Sequence, residues 1–341
     1  MRISVVIPCR NEAATIEQVL RDLAKQSLTE LFEVIVADGL SNDGTRELLT
    51  GFSTLRLPYS LRVVDNTSGT IPGGLNVAAA EASGEYIVRV DGHCRLPNDY
   101  LELIMNALRK PRQDVVGPAA RYIPGAATPV AAEIALALNT RLGNGGTPSR
   151  VHLREPIRID HTVMACYRRE VWEAIGGYDE SLLANEDFDF DYRANLQGFS
   201  VWSLPRPKYW AVARPTISLL LQQRFRYGFW KWQVIKRHPR SLRVRQLLPL
   251  IVTAGIIVSL VSSFWMPALL IVPVVYGLFL CLYAANLAIH DSSKPCWWRL
   301  AIIYSIIHLI WGSGLLWSVS TQTMRDSANH NGRSGKSSGC R

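Results

Sequence analysis

Four clusters of side chains in this 341-residue chain have types and spacings suited to chemistry. In the first, VVIPCRNE (residues 5–12) and VIVADGLSNDGT (residues 34–45), a carboxylate follows each of two apolar runs. Asp38, at a strand end, can accept hydrogen bonds from a base or ribose, whereas Asp43 reads equally as turn chemistry or a helix cap. In the second cluster, residues 69–93, Gly73 and Gly74 permit close backbone approach to a ligand or punctuate a turn. Asp91 and His93 flank Gly92 after an apolar run, so both side chains can turn toward one divalent ion on a diphosphate. Phosphate and water would fill the other coordination positions, and a capping Asp beside a solvated His is the plainer alternative. The third cluster, LLANEDFDFDYRANLQG (residues 182–198), carries Glu186, Asp187, Asp189 and Asp191. On a helix Asp187 and Asp191 share a face, which like-charge repulsion disfavours unless a cationic partner or a base function compensates. An acidic first turn favoured by the helix dipole accounts for one or two carboxylates but not for four. In the fourth, residues 222–240, aromatics and cations interleave at helical spacing, which suits a bilayer interface and leaves some cations for phosphate.

Regular elements must hold these clusters. Apolar, β-rich runs at residues 3–7, 32–37, 61–64 and 86–90 alternate with helix-compatible stretches, the rhythm of an α/β domain with a mostly parallel sheet. Asn11 is expected to N-cap a helix over residues 12–26, and residues 72–83 to form another closed by Gly84. Ligands of open α/β sheets collect at the carboxyl ends of the strands, so loops 8–12, 38–43 and 91–95 are expected to share one crevice. No GxGxxG follows the first strand and no GxxxxGK[ST] occurs, so neither a Rossmann nor a P-loop cradle is expected.

With 48% hydrophobic residues the chain is too apolar for disorder. Its formal net charge of +9 comes from one band, because residues 206–245 hold 11 Lys/Arg and no Asp/Glu. Residues 1–205 hold 20 basic and 26 acidic side chains, so no nucleic-acid partner is expected. Residues 247–323 carry three charges, Asp291, Lys294 and Arg299. Within them 247–266, 267–289 and 300–319 each reach the about 20 residues that cross a ~30 Å hydrocarbon core. Buried helices of a soluble domain are the alternative. No cleavable apolar leader precedes residue 3, and Arg237, Arg240, Arg243 and Arg245 stand before the first span. A multi-pass cell-membrane protein with a cytoplasmic polar half is therefore expected. Tail cations Arg325, Arg333, Lys336 and Arg341 would then lie on the wrong side of three spans, which leaves the number of full spans open. Scattered cysteines without CxxC read as reduced thiols. The expected division is a catalytic domain over 1–210, interfacial helices over 211–246, a membrane region over 247–320 and a disordered tail over 321–341.

In their order, the clusters of residues 3–232 resemble the family 2 glycosyltransferases, whose GT-A fold binds a nucleotide sugar. VVIPCRNE resembles that family's opening strand and turn, DGLSNDGT its second nucleotide loop, DGH its DxD site and NED (185–187) its ED motif. Gln223, Arg226 and Tyr227 resemble a QxxRW-type motif. GLN at 74–76, VRVDGH, DHTVMACYRREVW at 160–172 and the trailing spans are most similar to the succinoglycan-type membrane glucosyltransferases, which extend lipid-linked repeat units. The resemblance implies that Pro8, Glu12, Asp38, Asn76, Asp91 and Arg226 bind the nucleotide sugar, with Glu12 and Asp38 on the nucleoside and Arg226 on the diphosphate. It implies Asp91 and His93 as ligands of Mg2+ or Mn2+ and Asp187 as the catalytic base of an inverting transfer. UDP-glucose is the donor and a polyprenyl-diphosphate-linked saccharide at the membrane the acceptor that it implies. Three departures stand out: His93 replaces a second carboxylate, Tyr227 replaces Trp, and Phe188 interrupts a more acidic run. The imidazole shifts metal preference toward manganese, since magnesium favours an all-oxygen shell. The rival expectations are a polyprenyl-phosphate glycosyltransferase, a processive polysaccharide synthase and a membrane-anchored nucleotide-sugar binding module without turnover.

Overall fold

The computed structural model describes residues 2–150 and 153–321. They form two compact units, one built from the chain up to Gly125 plus Leu138–Ala213, the other from Ala126–Ala137 plus the chain from Arg214 onward.

In the first unit β1 (Ile3–Cys9), β2 (Phe32–Asp38), β3 (Ser60–Asp65) and β4 (Tyr86–Arg89) alternate with α1 (Ile16–Ala24), α2 (Thr45–Ser53) and α3 (Ile71–Glu81). These strands pair in parallel in the order β3-β2-β1-β4. The chain continues through β5 (Cys94–Arg95), α4 (Tyr100–Leu108) and β6 (Val115–Ile123). After α5 (Pro129–Leu138), most of which belongs to the second unit, come α6 (Arg141–Asn144), β7 (Ile157–Arg158), β8 (Cys166–Arg168), α7 (Arg169–Ile175), α8 (Glu186–Leu196) and β9 (Val201–Val212). The sheet extends as β4-β8-β6-β9-β5, with β7 also on β9. Here β6 and β9 run parallel, while β8 lies antiparallel to both β4 and β6.

Alternation along the strands sends side chains to two faces. Ile3, Val5 and Ile7 join Val19, Leu20 and Leu23 of α1 and Ile104 of α4 in one core. Val6, Ile35 and Ala37 join Leu75, Ala78 and Ala79 of α3 and Phe190 of α8 in the other. Burial on both faces explains why these strands read as apolar runs rather than as alternating ones.

The first helix starts later than expected, at Ile16, with Thr15 as its N-cap. Asn11 does not cap it. Its backbone is left-handed (φ 56°), its N–H donates to Ser41 Oγ, and its Oδ1 accepts the N–H of Asn42. The side chain is spent tying the end of β1 to the loop after β2. The helix expected at 72–83 spans Ile71–Glu81, capped by the Thr70 hydroxyl with Pro72 in the first turn, where a missing N–H costs nothing. Gly74 is required by packing: a Cβ there would stand 2.9 Å from Asn66 Nδ2 and 3.2 Å from Pro8 Cβ.

The second unit contains α5, α9 (Ile217–Arg237), α10 (Val244–Ser262), α11 (Ile271–His290) and α12 (Trp297–Ser305). Three helical stretches are long and apolar enough to cross a membrane: Val244–Ser262, Pro267–His290 and Trp297–Thr321. Glu133 of α5, almost fully buried, grips the Arg299 guanidinium with both oxygens (2.7 and 2.9 Å) and accepts the N–H of Cys296. Small residues let helices approach closely. A Cβ on Gly228 of α9 would collide with the Trp311 carbonyl, and one on Gly314 with the Phe225 carbonyl. Gly228→Ala is therefore expected to destabilise this unit by about 1–3 kcal/mol through overpacking. Unfolding of the detergent-solubilised protein measures it, and an unchanged midpoint would show that the helices separate freely. The tail expected over 321–341 lies almost wholly outside the described residues, as does Cys340. Cys9, Cys94 and Cys166 are unpaired and buried, and burial raises their thiol pKa.

Candidate active site

Strand register brings the first carboxylates level, since Cys9 pairs with Asp38 and Asp38 with Asp65. Asp38, 2% exposed, accepts the Ser41 hydroxyl (2.6 Å) and faces Arg46 Nη1 (3.3 Å). Asp43 is a cap, because it accepts the N–H groups of Ala13 and Thr45 and the Thr45 hydroxyl, the hydroxyl bond leading in lowering its pKa.

The end of β1 meets the end of β4. Glu12 Oε1 lies 2.8 Å from His93 Nδ1, and its Oε2 accepts the Thr15 hydroxyl. A Cβ on Gly92 would stand 3.3 Å from Glu12 Cγ and 3.6 Å from the Pro8 carbonyl oxygen, so Pro8, Glu12, Gly92 and His93 share one corner. Asp91 follows Arg89, whose Nε donates to Asp91 Oδ1 (3.1 Å), while the Tyr209 hydroxyl reaches Oδ2 at 3.4 Å. Burial is the largest single influence on the Asp91 pKa and presses it upward, but the Arg89 and His93 charges and the hydrogen bonds from Arg89 and Tyr209 together outweigh it, and the carboxyl sits below its ordinary value.

An anionic carboxylate beside an imidazole suits a divalent cation. Among the described residues no group of three or more His, Cys, Asp or Glu side chains could cage a metal, so most coordination would come from phosphate and water. With Nδ1 against Glu12, His93 would coordinate through Nε2, and a carboxylate on the other ring nitrogen is the usual support of a metal-binding imidazole.

The four carboxylates of the acidic helix face three partners, with His161 shared by two of them. Glu186 pairs with Arg89 Nη2 (3.3 Å), Asp189 with Arg193 Nε (2.7 Å) and Asp191 with His161 Nδ1 (2.8 Å). Asp187 is the most exposed of the four, with 28% of its side chain accessible and Oδ2 3.8 Å from His161 Nε2. Its Oδ1 accepts its neighbour's N–H, from Phe188 (2.7 Å). Phe188, the interruption in the acidic run, places its ring 5.4 Å from that of His161. Arg89 therefore links the end of β4 to the start of α8 through one guanidinium, 6% exposed and 5.8 Å from the Tyr178 ring. Arg89 and His161 both lie inside the motifs VRVDGH and DHTVMACYRREVW, where the sequence assigns them no role. A charged side chain within the apolar strand YIVRV was a signal for Arg89, while a lone His gave none for His161.

Asn76 spends its amide on the loop before α8: Nδ2 donates to the Tyr178 carbonyl and to Glu180, and Oδ1 accepts the Tyr178 N–H. Arg226 lies on α9 in the second unit with an exposed side chain, and Gln223 Nε2 donates to the Tyr227 hydroxyl one turn on (3.4 Å). Among the described residues, four of the six non-glycine residues with left-handed backbone, Asn11, Leu40, Met164 and Asn185, flank these loops, where strain is commonly retained for function.

Burial, and then the Asp187 charge, pushes the Glu186 carboxyl up to about 7 despite Arg89. A carboxyl whose folded pKa is raised stabilises the fold at low pH, and that stability is lost as pH rises from about 4.5 through about 7. Wild-type stability is expected to fall by on the order of 3 kcal/mol over that window relative to Glu186→Gln. Parallel unfolding curves for the two proteins would refute the assignment.

This geometry is that of a nucleotide-diphospho-sugar transferase domain of the GT-A type, an α/β sheet with acidic strand ends facing an acidic helix start. The glycosyl transferase family 2 profile matches residues 4–176. Succinoglycan biosynthesis protein ExoA of Rhizobium meliloti is 34% identical over 322 residues, covering 91% of this chain and 92% of that protein. Glycosyltransferase AglE of Haloferax volcanii is 26% identical over 252 residues, covering 71% and 76%. Among solved structures, mannosyltransferase PcManGT from Pyrobaculum calidifontis, in complex with GDP-Man and Mn2+, shares the fold with a TM-score of 0.60 at 19% identity, covering 93% of this chain and 87% of that one. The chain belongs to glycosyl transferase family 2. The matched segment holds Pro8, Glu12, Asp38, Asn76, Asp91 and His93 but ends before Asp187 and Arg226.

Proposed function

We propose that this glycosyltransferase moves glucose from UDP-glucose, with inversion, to a polyprenyl-diphosphate-linked saccharide in cell-surface or exopolysaccharide synthesis. The observation that carries the reading is the Arg89 bridge, which ties the candidate diphosphate residue Asp91 to Glu186, next to the candidate base Asp187. The name of the 34% identical relative supports a polysaccharide product, and the Mn2+ and GDP-Man of the Pyrobaculum mannosyltransferase support a nucleotide sugar and a divalent ion. Three apolar helices and the basic band before them suit a multi-pass membrane protein whose first unit is cytoplasmic.

In the proposed step the Asp187 carboxylate takes the proton of an acceptor hydroxyl while that oxygen attacks the anomeric carbon. The new carbon–oxygen bond forms opposite the bond to UDP, which breaks, so the configuration inverts. Mg2+ or Mn2+ on Asp91 and His93 would neutralise charge on the departing diphosphate. Pro8, Glu12 and Asp38 would orient the nucleotide sugar, with Asn76 acting through the loop before α8 that its amide holds. The experiment incubates full-length protein with a panel of UDP- and GDP-sugars and bacterial membrane lipid extract. Nucleoside diphosphate release should need both the lipid and a divalent cation, and the product should have the opposite anomeric configuration to the donor. Retained configuration, or no release with any donor, overturns the reading.

A further inference from the structure

Asp191 has 0% of its side chain exposed. Its Oδ2 lies 2.8 Å from His161 Nδ1 and accepts the Thr162 N–H (2.8 Å), while its Oδ1 has no hydrogen-bond partner. A buried carboxylate is costly without a facing cation. The neighbouring arginines are committed elsewhere, Arg193 to Asp189 and Arg89 to Asp91 and Glu186. Stability alone is a poor reason for such a pair, since apolar side chains of similar volume usually serve as well.

We propose that His161 is a positioning residue for the base: anchored through Nδ1 by Asp191, its imidazole presents Nε2 to Asp187 and holds that carboxylate aimed at the acceptor. The proposal rests on the reading of Asp187 as the base. The ring is fixed on several sides. Asp191 holds both its Nδ1 and the next backbone N–H, and the Phe188 ring lies 5.4 Å away. Gly117 of β6 admits the segment that carries it, because a Cβ there would collide with Thr162. His161 Nε2 lies 3.8 Å from Asp187 Oδ2, close enough to close into a hydrogen bond when an acceptor hydroxyl shuts out water. Among the described residues, the charged groups near the ring include Asp187 and Asp191 from α8, Glu186 with its partner Arg89 beyond Asp187, and Asp160 on its own segment. Asp187 and Asp191 stand one helical turn apart, and the His161 ring lies between them, Nδ1 toward one and Nε2 toward the other.

The test measures kcat and donor KM for His161→Ala, His161→Gln and Asp191→Asn in the full-length protein, with the nucleotide sugar that the panel turns over best. His161→Ala is expected to lower kcat roughly 10- to 100-fold with donor KM within about 2-fold, as misorientation of a catalytic group does. His161→Gln, whose amide N–H reaches toward Asp187, should recover part of kcat, and Asp191→Asn, which loosens the anchor at Nδ1, should lower kcat with donor KM unchanged. In an Asp187→Asn background His161→Ala should cause no further loss. Wild-type kcat in His161→Ala or in Asp191→Asn, no recovery in His161→Gln over His161→Ala, or losses that multiply in the double variant, overturns the proposal. Failure of the base reading shows differently, as near wild-type turnover in Asp187→Asn alone.

Discussion

Asp187→Asn is expected to lower kcat by roughly 10²- to 10⁴-fold, the contribution of a general base, while donor affinity stays within about 2-fold of wild type. The substitution is nearly isosteric, and an amide oxygen can still accept the Phe188 N–H that Asp187 Oδ1 accepts. What it removes is a basic atom on the most exposed carboxylate of α8, beside a residue whose own carboxyl is already pushed up to about 7. The neutral amide also removes the second-ranked cause of that shift, after burial, so Glu186 should ionise at lower pH in the variant. This gives an internal control. Loss of turnover with an altered Glu186 titration and intact UDP binding locates the effect at the base. Loss of turnover together with UDP binding would move Asp187 to the donor site. Turnover near wild type would exclude it as the base.

The legible part of the fold was the part whose signal is local. The four parallel strands appear as apolar runs because both faces are buried, and the three apolar helical stretches because apolar residues continue for the length of a bilayer. The far half of the sheet was not legible. β8 is three residues long, and β9 mixes Pro205 and Pro207 with charged Arg206 and Lys208, so neither shows a period, and their pairings form across long separations. Helix α5, too short to span a membrane, gave no sign that Glu133 would meet Arg299. The start of α1 was misplaced because Asn11 has the chemistry of a cap and uses it on another loop. At the site the carboxylates were readable by type and spacing. Their counterions were not, since Arg89 meets Glu186 across 97 positions and His161 meets Asp191 across 30.

That difference matters most for Arg89, whose replacement carries the largest expected cost in stability. Arg89→Met keeps the length and apolar stem of the side chain but leaves Asp91 and Glu186 without the charge between them. Removing one partner of a buried ion pair typically costs about 3–5 kcal/mol, because the remaining charge has lost its water and its counterion. Here Asp91 is left as the stranded charge, while Glu186, already pushed up to about 7, rises further without Arg89 and takes up a proton, so a cost within that range is expected. Arg89→Lys separates charge from geometry. A lysine ammonium restores the positive charge but not the fork that donates through Nε to one carboxylate and through Nη2 to the other, so it should recover only part of the loss. The double variant Arg89→Met with Glu186→Gln removes the buried carboxyl that must ionise as pH rises, and should be more stable than Arg89→Met alone at pH above about 7. Unfolding midpoints of the four proteins at one pH measure all of this. If Arg89→Met unfolds with wild type, the guanidinium is not what holds the end of β4 against the start of α8, and the pathway linking the candidate diphosphate and base residues must run through other contacts.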